Sequence, residues 1–363
     1  MVLLGVVFLC GVLVGFLLFL GVVGLAGRLL WVVVGVVLVC VACVGVWFGL
    51  VGGRVGGGVV RVGTLLGGIS TLDVMEARGL ARGFVLRVYR FHRTPEILSA
   101  LVRGDVDVAV VPVEMAGRLI EEGVPVVVVG VDMLQNQAVV AGGGFVGGVC
   151  GLAGRRVGAV LASGTFHMFK AYMRVVCNVS VVEGGSPRPG VVVAVNLEPG
   201  VLLDALRRGE VDAVVVWEPF VSRAIAMGYR VVASFSDLWR MSGVGGEPVM
   251  LVYVARRGWV LRHAGLLVRF LEARVRAARL WVSEPGVVES VLEKLYHLSP
   301  RVAGILYGRV RVVARHLDDV LASSIRRVWW LAYRGGYLPK PPSSIPGDAV
   351  LTWAGLLRLA GGG

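Results

Sequence analysis

Lysine is almost missing from this 363-residue chain: Lys170, Lys294 and Lys340 are its three occurrences, so the 37 basic residues are nearly all arginine. The arginines stand singly among valine and glycine, without a basic run or an interleaved aromatic platform. That spacing argues against a nucleic-acid surface, despite a formal net charge of +13. Histidine is scarce too. His92, His167, His263, His297 and His316 never pair at the spacing of metal ligands, and no C-x-x-C pair supports a metal site, Cys40 and Cys43 lying within an apolar run. G-x-S-x-G and a P-loop are both missing, and no G-x-G-x-x-G follows a strand in the right context. The expectation is therefore no metal, no cofactor and no catalytic constellation.

Charge is missing altogether from residues 2–26 and 29–53, interrupted by Gly27 and Arg28. At 1.5 Å per residue, each run is long enough to cross ~30 Å of hydrocarbon. Met1-Val2-Leu3 carries no basic residue and no small-residue cleavage site follows, which argues against a cleaved signal. Two readings stay open. Either both runs span with Arg28 as the cytoplasmic turn, or the true start lies downstream and the second run is the export signal. Both readings put the body outside the cell, and residues 1–53 are read as an anchor or signal region.

The body begins after a glycine-rich linker at residues 52–58. From there short β-branched runs alternate with helical segments, as in "VVRVGTLL", "VDVAVVP" and "VPVVVVGV". Near-continuous apolar runs are the mark of parallel strands covered on both faces. The alternation predicts two doubly wound α/β lobes, with residues 59–140 in the first, 141–248 in the second, and 249–363 returning to the first as a mostly helical region. The Pro-rich "LPKPPSSIPGD" reads as an extended strap. Cys150 and Cys177 lie in the second lobe and admit two readings, a disulfide or two buried thiols.

Two stretches are near copies: "ALVRGDVDVAVVPVEMAGRLIEEG" at residues 100–123 and "ALRRGEVDAVVVWEPFVSRAIAMG" at residues 205–228, an ungapped offset of 105. Each reads as helix, glycine stop, strand, helix. The copies part just beyond the strand, at Pro112-Val113-Glu114 in one and Trp217-Glu218-Pro219 in the other. Ligands of open α/β sheets bind beyond the carboxyl ends of strands, so these divergent corners are candidate ligand contacts.

Two further corners offer backbone N–H groups and hydroxyls at a helix start: Gly68, Ser70 and Thr71 after the first strand, and Ser163, Gly164 and Thr165 in the other lobe. Helix N-termini hold anions or polar groups. Each corner alone reads equally well as ordinary N-capping; one per lobe points to a shared ligand site. Trp217 is either a core residue or a wall of that site. Glu218 either favours the helix start or accepts hydrogen bonds from a ligand.

At "LSALVRGDVDVAVVPVE", "LAGRRVGAVLASGT" and "LRRGEVDAVVVWEPF" the chain resembles the exported solute-binding proteins of ABC importers. The nearest branch is the nitrate/sulfonate/taurine group, which also takes in binders of pyrimidine precursors. The resemblance covers roughly residues 59–257. It implies a type II periplasmic-binding fold whose lobes are joined by crossing strands near residues 135–141 and 250–255. It also implies ligand contacts from Gly68 to Thr71, from Pro112 to Glu114, from the S-G-T corner and from the W-E-P corner. "GGIST" contains no arginine, and the apolar N-terminus is doubled; both depart from the group's pattern.

These observations lead to one expectation: a monomeric, membrane-anchored, extracytoplasmic binding protein that captures a small polar solute by lobe closure and delivers it to an ABC permease and its ATPase. Two rivals are an enzyme on the same fold, for which His167 is the candidate reactive group, and a ligand-sensing ectodomain.

Overall fold

The computed structural model describes residues 58–362. The two uncharged N-terminal runs, with Cys10, Cys40 and Cys43, lie outside the described residues. Among the described residues no helix is long and apolar enough to cross a membrane.

In chain order the first elements are β1 (Val59–Leu65), α1 (Thr71–Ala77), β2 (Val85–Phe91), α2 (Thr94–Arg103), β3 (Val108–Pro112), α3 (Val113–Glu121), β4 (Val126–Leu134) and β5 (Ala138–Ala141). There follow β6 (Arg156–Ala159), α4 (Gly164–Cys177), β7 (Ser180–Glu183), β8 (Val191–Asn196), α5 (Leu202–Arg207), β9 (Ala213–Val216), α6 (Phe220–Ala226), β10 (Arg230–Ser234), α7 (Phe235–Met241) and β11 (Val249–Arg256). The remainder is helical: α8 (Arg257–Arg262), α9 (Ala264–Ser283), α10 (Pro285–Tyr296), α11 (Pro300–Arg309), α12 (Asp319–Arg334) and α13 (Trp353–Gly361). Pro285 and Pro300 each open a helix, where the missing N–H costs nothing.

The strands form two sheets, ordered β2-β1-β3-β11-β4 and β10-β5-β9-β6-β8-β7. In the first, β1 runs parallel to β2 and β3, and β11 lies antiparallel between β3 and β4. In the second, β6 runs parallel to β8 and β9, while β5 and β10 are antiparallel. Val108, Val111, Val128 and Val131, like Val214 to Val216, are fully buried, because helices cover both faces. The chain leaves the first sheet after β4 and enters the second at β5, crossing at residues 135–137. It returns between α7 and β11, across residues 242–248. The crossings lie side by side: Gln135 N–H donates to Pro248 O at 2.8 Å, and Phe235 N–H donates to Gln137 O at 2.9 Å. The second crossing thus falls ahead of the expected residues 250–255, which are instead the middle of a central strand of the first sheet.

The repeat has a structural reason. Gly104 and Gly209 both end their helices in the left-handed region, at φ 89° and 72°. Asp107 then accepts the N–H of Arg61 on β1 at 3.0 Å, and Asp212 accepts that of Arg156 on β6 at 2.8 Å. In each lobe the same aspartate ties the start of one strand to its neighbour. Two elements escaped the sequence pattern, β7 and α7. The disulfide alternative holds for Cys150 and Cys177, which are bridged and tie the start of the second lobe to the end of α4.

The C-terminal helices connect the lobes. Helix α12 packs on α3 and α4, the Trp329 indole donates to Val113 O at 2.7 Å, and α11 packs on α6. Gly335 abuts Ala171 so closely that a Cβ there would lie 2.3 Å from the alanine methyl. The Pro-rich segment forms two 3₁₀ turns, Pro342–Ser344 and Gly347–Ala349, and returns to β4 where Leu351 N–H meets Val128 O at 2.8 Å.

Candidate functional site

The carboxyl ends of β1, β3, β6 and β9 converge on a cavity of about 50 Å³ between the lobes. The first lobe contributes Thr64, Gly68, Ile69, Thr94 and Pro112. The second contributes Ser163, Gly164, Thr165, Trp217 and Glu218, and the first crossing contributes Asn136 and Gln137. Val110, Met250 and Leu251 add apolar surface.

Local sequence explains each placement. Ser163 caps α4: its hydroxyl accepts Phe166 N–H at 3.2 Å and donates to Val160 O at 2.7 Å, which fixes the first turn of a 14-residue helix against the cavity. Helix α2 begins at Thr94, which lines the cavity. Trp217 follows β9, yet its ring joins the cluster of buried apolar side chains around Val110, Tyr253 and Met250 of the first lobe. It is both core and wall. Its Nε1 is buried without a partner, as is Oε1 of Gln137.

Glu218 is fully enclosed. One carboxylate oxygen accepts Arg309 Nε at 2.6 Å from α11, and the other accepts Ser222 N–H at 3.0 Å. Burial pushes its pKa up, while Arg309 and Ser222 oppose that rise. Glu114, on α3, stands behind Gly164. Its Oε1 is buried without a partner, and burial pushes its pKa up to about 8.

Ser70 and Thr71 are placed differently from Gly68. Their side chains point into the first lobe, where Thr71 Oγ1 donates to Asp132, Tyr253 OH donates to Asp132 at 3.0 Å, and Ser70 Oγ accepts Leu72 N–H at 3.1 Å. Their work is to set the loop that carries Gly68 and Ile69 to the cavity, because Asp132 in this apolar interior takes up hydroxyls at hydrogen-bonding distance. Tyr296 of α10 holds the same loop from the other side, its hydroxyl lying 2.8 Å from Gly68 O and 2.6 Å from the Asp73 carboxyl. Burial raises the Asp73 pKa to about 6.

Four polar lining residues have no counterpart among the sequence candidates: Thr64, Thr94, Asn136 and Gln137. The signal for two of them was present. "QNQ" is a run of uncharged amides between two apolar strands, where buried amides need partners. His167, the candidate reactive group, stacks on Tyr337 at 4.1 Å between centroids and does not line the cavity. Burial lowers its pKa to about 4. Among the described residues no group of three His, Cys, Asp or Glu side chains is placed to hold a metal ion.

Two α/β lobes, paired crossings and an interlobe cavity define a periplasmic-binding-protein fold. The comparisons agree. Residues 180–294 match the NMT1-like family. The taurine-binding periplasmic protein of Escherichia coli K12 is 28% identical over 123 residues, 34% of this chain and 37% of that protein, so the match spans little more than a third of the relative. The alkanesulfonate-binding protein of Xanthomonas axonopodis pv. citri, solved with MOPS bound, superimposes with a TM-score of 0.64 at 18% identity, covering 80% of this chain and 97% of that one. The nitrate-binding protein of Synechocystis PCC 6803 gives 0.57 at 12% identity, covering 84% and 97%. These likenesses support the resemblance to the nitrate/sulfonate/taurine group of binding proteins; at these identities the solved structures speak for the fold alone.

Proposed function

We propose that this protein is the extracytoplasmic solute-binding component of an ABC importer. It captures a small polar solute between its lobes and hands it to a membrane permease driven by an ATPase. One observation carries the reading: a cavity between the lobes lined from both sides by polar groups at strand and helix ends, Thr64 and Thr94 from the first lobe, Ser163 and Thr165 from the second, and Asn136 from the crossing between them. Opening and closing at residues 135–137 and 242–248 exchanges the solute, and no bond chemistry is required. The uncharged runs at residues 2–26 and 29–53 hold the body at the outer membrane face, and the body acts as a monomer.

The test is to purify the full-length protein from its own host, denature it, and analyse what is released by mass spectrometry. A stoichiometric small molecule, lost in Trp217→Ala, is the expected result. Its absence, together with failure to co-purify any permease after cross-linking, would remove the proposal.

A further inference from the structure

The lobes also meet at two equivalent residues. The offset of 105 that aligns the repeats continues upstream of Ala100 and Ala205 and matches Arg93 with Glu198. The fold makes them equivalent too. Arg93 lies just past the end of β2 and caps α2. Glu198 lies just past the end of β8 and caps the 3₁₀ turn Pro199–Val201 that leads into α5. In each lobe that strand pairs in parallel with the lobe's opening parallel strand, β1 or β6. The two side chains join across the cleft: Arg93 Nη2 donates to Glu198 Oε1 at 2.9 Å.

Nothing local calls for an arginine at that corner. A helix start favours acids and opposes a cation. An acid stands close by on α2 itself, Glu96, but its carboxylate accepts the N–H groups of His92 and Arg93, at 3.2 and 3.4 Å, and the guanidinium turns to the other lobe. The pair borders a small cavity of about 30 Å³, lined also by His92, which shares Leu65, Thr94, Ser163 and Trp217 with the larger interlobe cavity. Thr94 and Trp217 are each 6% exposed, whereas the side chains of Arg93 and Glu198 are 60% and 63% exposed. The lining thus runs from a buried wall out to solvent, and the ion pair stands at the mouth. An exposed pair shifts an equilibrium by only roughly 1.5- to 5-fold. That is too little to hold a fold together, but enough to bias two forms of similar energy and weak enough to reopen.

We propose that Arg93 and Glu198 form the latch of the cleft, positioning residues that draw the matching corners of the two lobes together and shut the mouth of the cavity. This rests on the binding-protein reading above, which gives the cleft an open and a closed form. The test uses the full-length protein and needs no solute. Gly164 and Thr165 supply the first N–H groups of α4, which have no intrahelical partner, so their hydrogen exchange reports how often the cleft is open. Arg93→Glu and Glu198→Arg each set like charges at the mouth and should speed that exchange about 2- to 10-fold, with the thermal melt retained. The charge-swapped double variant, Arg93→Glu with Glu198→Arg, should return it to within about twofold of the parent. All four proteins should converge as salt rises from about 0.01 to 1 M. If a reversed variant fails to fold, Arg93→Gln and Glu198→Gln, which only delete the attraction, should give a smaller increase of the same sign. Unchanged exchange in the single variants, or no recovery in the charge-swapped one, would overturn the latch. Either result leaves the binding-protein reading standing, because that reading is decided by what protein purified from its host releases.

Discussion

Glu114 and Gly164 meet across the cleft from opposite lobes, so tightly that a Cβ on Gly164 would lie 2.1 Å from Glu114 Oε1 and 2.5 Å from the Pro112 Cβ. Glycine is required there by closure, since α4 itself would accept alanine. Gly164→Ala should therefore hold the lobes apart while sparing each lobe's core. Solute affinity should drop at least tenfold, small-angle scattering should report a larger average radius, and the melting temperature of the unliganded protein should move little. A variant that binds and scatters like the parent would show that the lobes close without this contact.

The same contact makes closure sensitive to pH. Burial lifts the Glu114 pKa from its ordinary 4.5 to about 8 in the closed form. Between those values the closed protein keeps a proton that the unfolded chain has lost. Stability must then fall as pH rises through the window, by up to ~1.4 kcal/mol per pH unit for this one group, and level off above it. The groups around Glu114 do not cancel this: the Tyr172 and Tyr337 phenols stand near it, and burial raises both above their ordinary range. Denaturant titrations from pH 5 to 9 should show the decline in the parent and a flatter profile in Glu114→Gln. Parallel profiles for the two proteins would remove Glu114 as the source.

The Cys150–Cys177 bridge links residues 27 apart in sequence. A loop of that size stabilises by ~3 kcal/mol through the unfolded chain. Peptide mapping after thiol labelling without reductant should leave both cysteines unmodified, and the double replacement Cys150→Ser with Cys177→Ser should lower the unfolding free energy by ~2–4 kcal/mol. Label on either residue in the unreduced protein would end this account.

The repeated unit shows what a sequence can and cannot state. The left-handed glycine after each helix and the aspartate immediately after Val106 and Val211 repeat visibly, because both serve the backbone of their own lobe. Their surroundings do not repeat. A Cβ on Gly209 would meet nothing within 4 Å, whereas one on Gly104 would lie 2.0 Å from Arg256 Nη1. Gly209→Ala should cost ~1–2 kcal/mol from backbone strain alone, and Gly104→Ala more than that, read from denaturant midpoints. Equal losses would mean that Arg256 moves aside freely. Likewise β7 is four residues long and half exposed at a sheet edge, so it lacks an apolar run. Helix α7 carries a legible signal, Ser234 capping Asp237 N–H at 3.1 Å, but it is only two turns long. The corners Ser163 to Thr165 and Trp217-Glu218 were legible because they sit at strand ends. Thr64 and Thr94 were not, since each belongs to an element of the first lobe and its exposure to the cavity depends on how the second lobe meets it.

Trp217 and Thr165 line one cavity but differ in what else they hold. Thr165→Ala removes a hydroxyl at the first turn of α4 and no packing of consequence, so its binding loss should be about 1 kcal/mol for a neutral partner, with an unchanged melt. Trp217 belongs also to the apolar cluster around Val110 and Met250, and its ring meets Phe220 edge-on at 5.6 Å. Trp217→Ala should therefore lose on both counts: ~3–5 kcal/mol of stability from the void, and binding beyond what the folded fraction explains. Calorimetric titration beside a denaturant series separates the two, because affinity corrected for the folded fraction reports the wall and the midpoint reports the core. Normal corrected affinity in Trp217→Ala would make the indole a core residue that happens to face a void. A normal midpoint with lost affinity would make it wall alone. Loss of both would mean that the residue at which the two repeats part both seals the second lobe against the first and touches what lies between them.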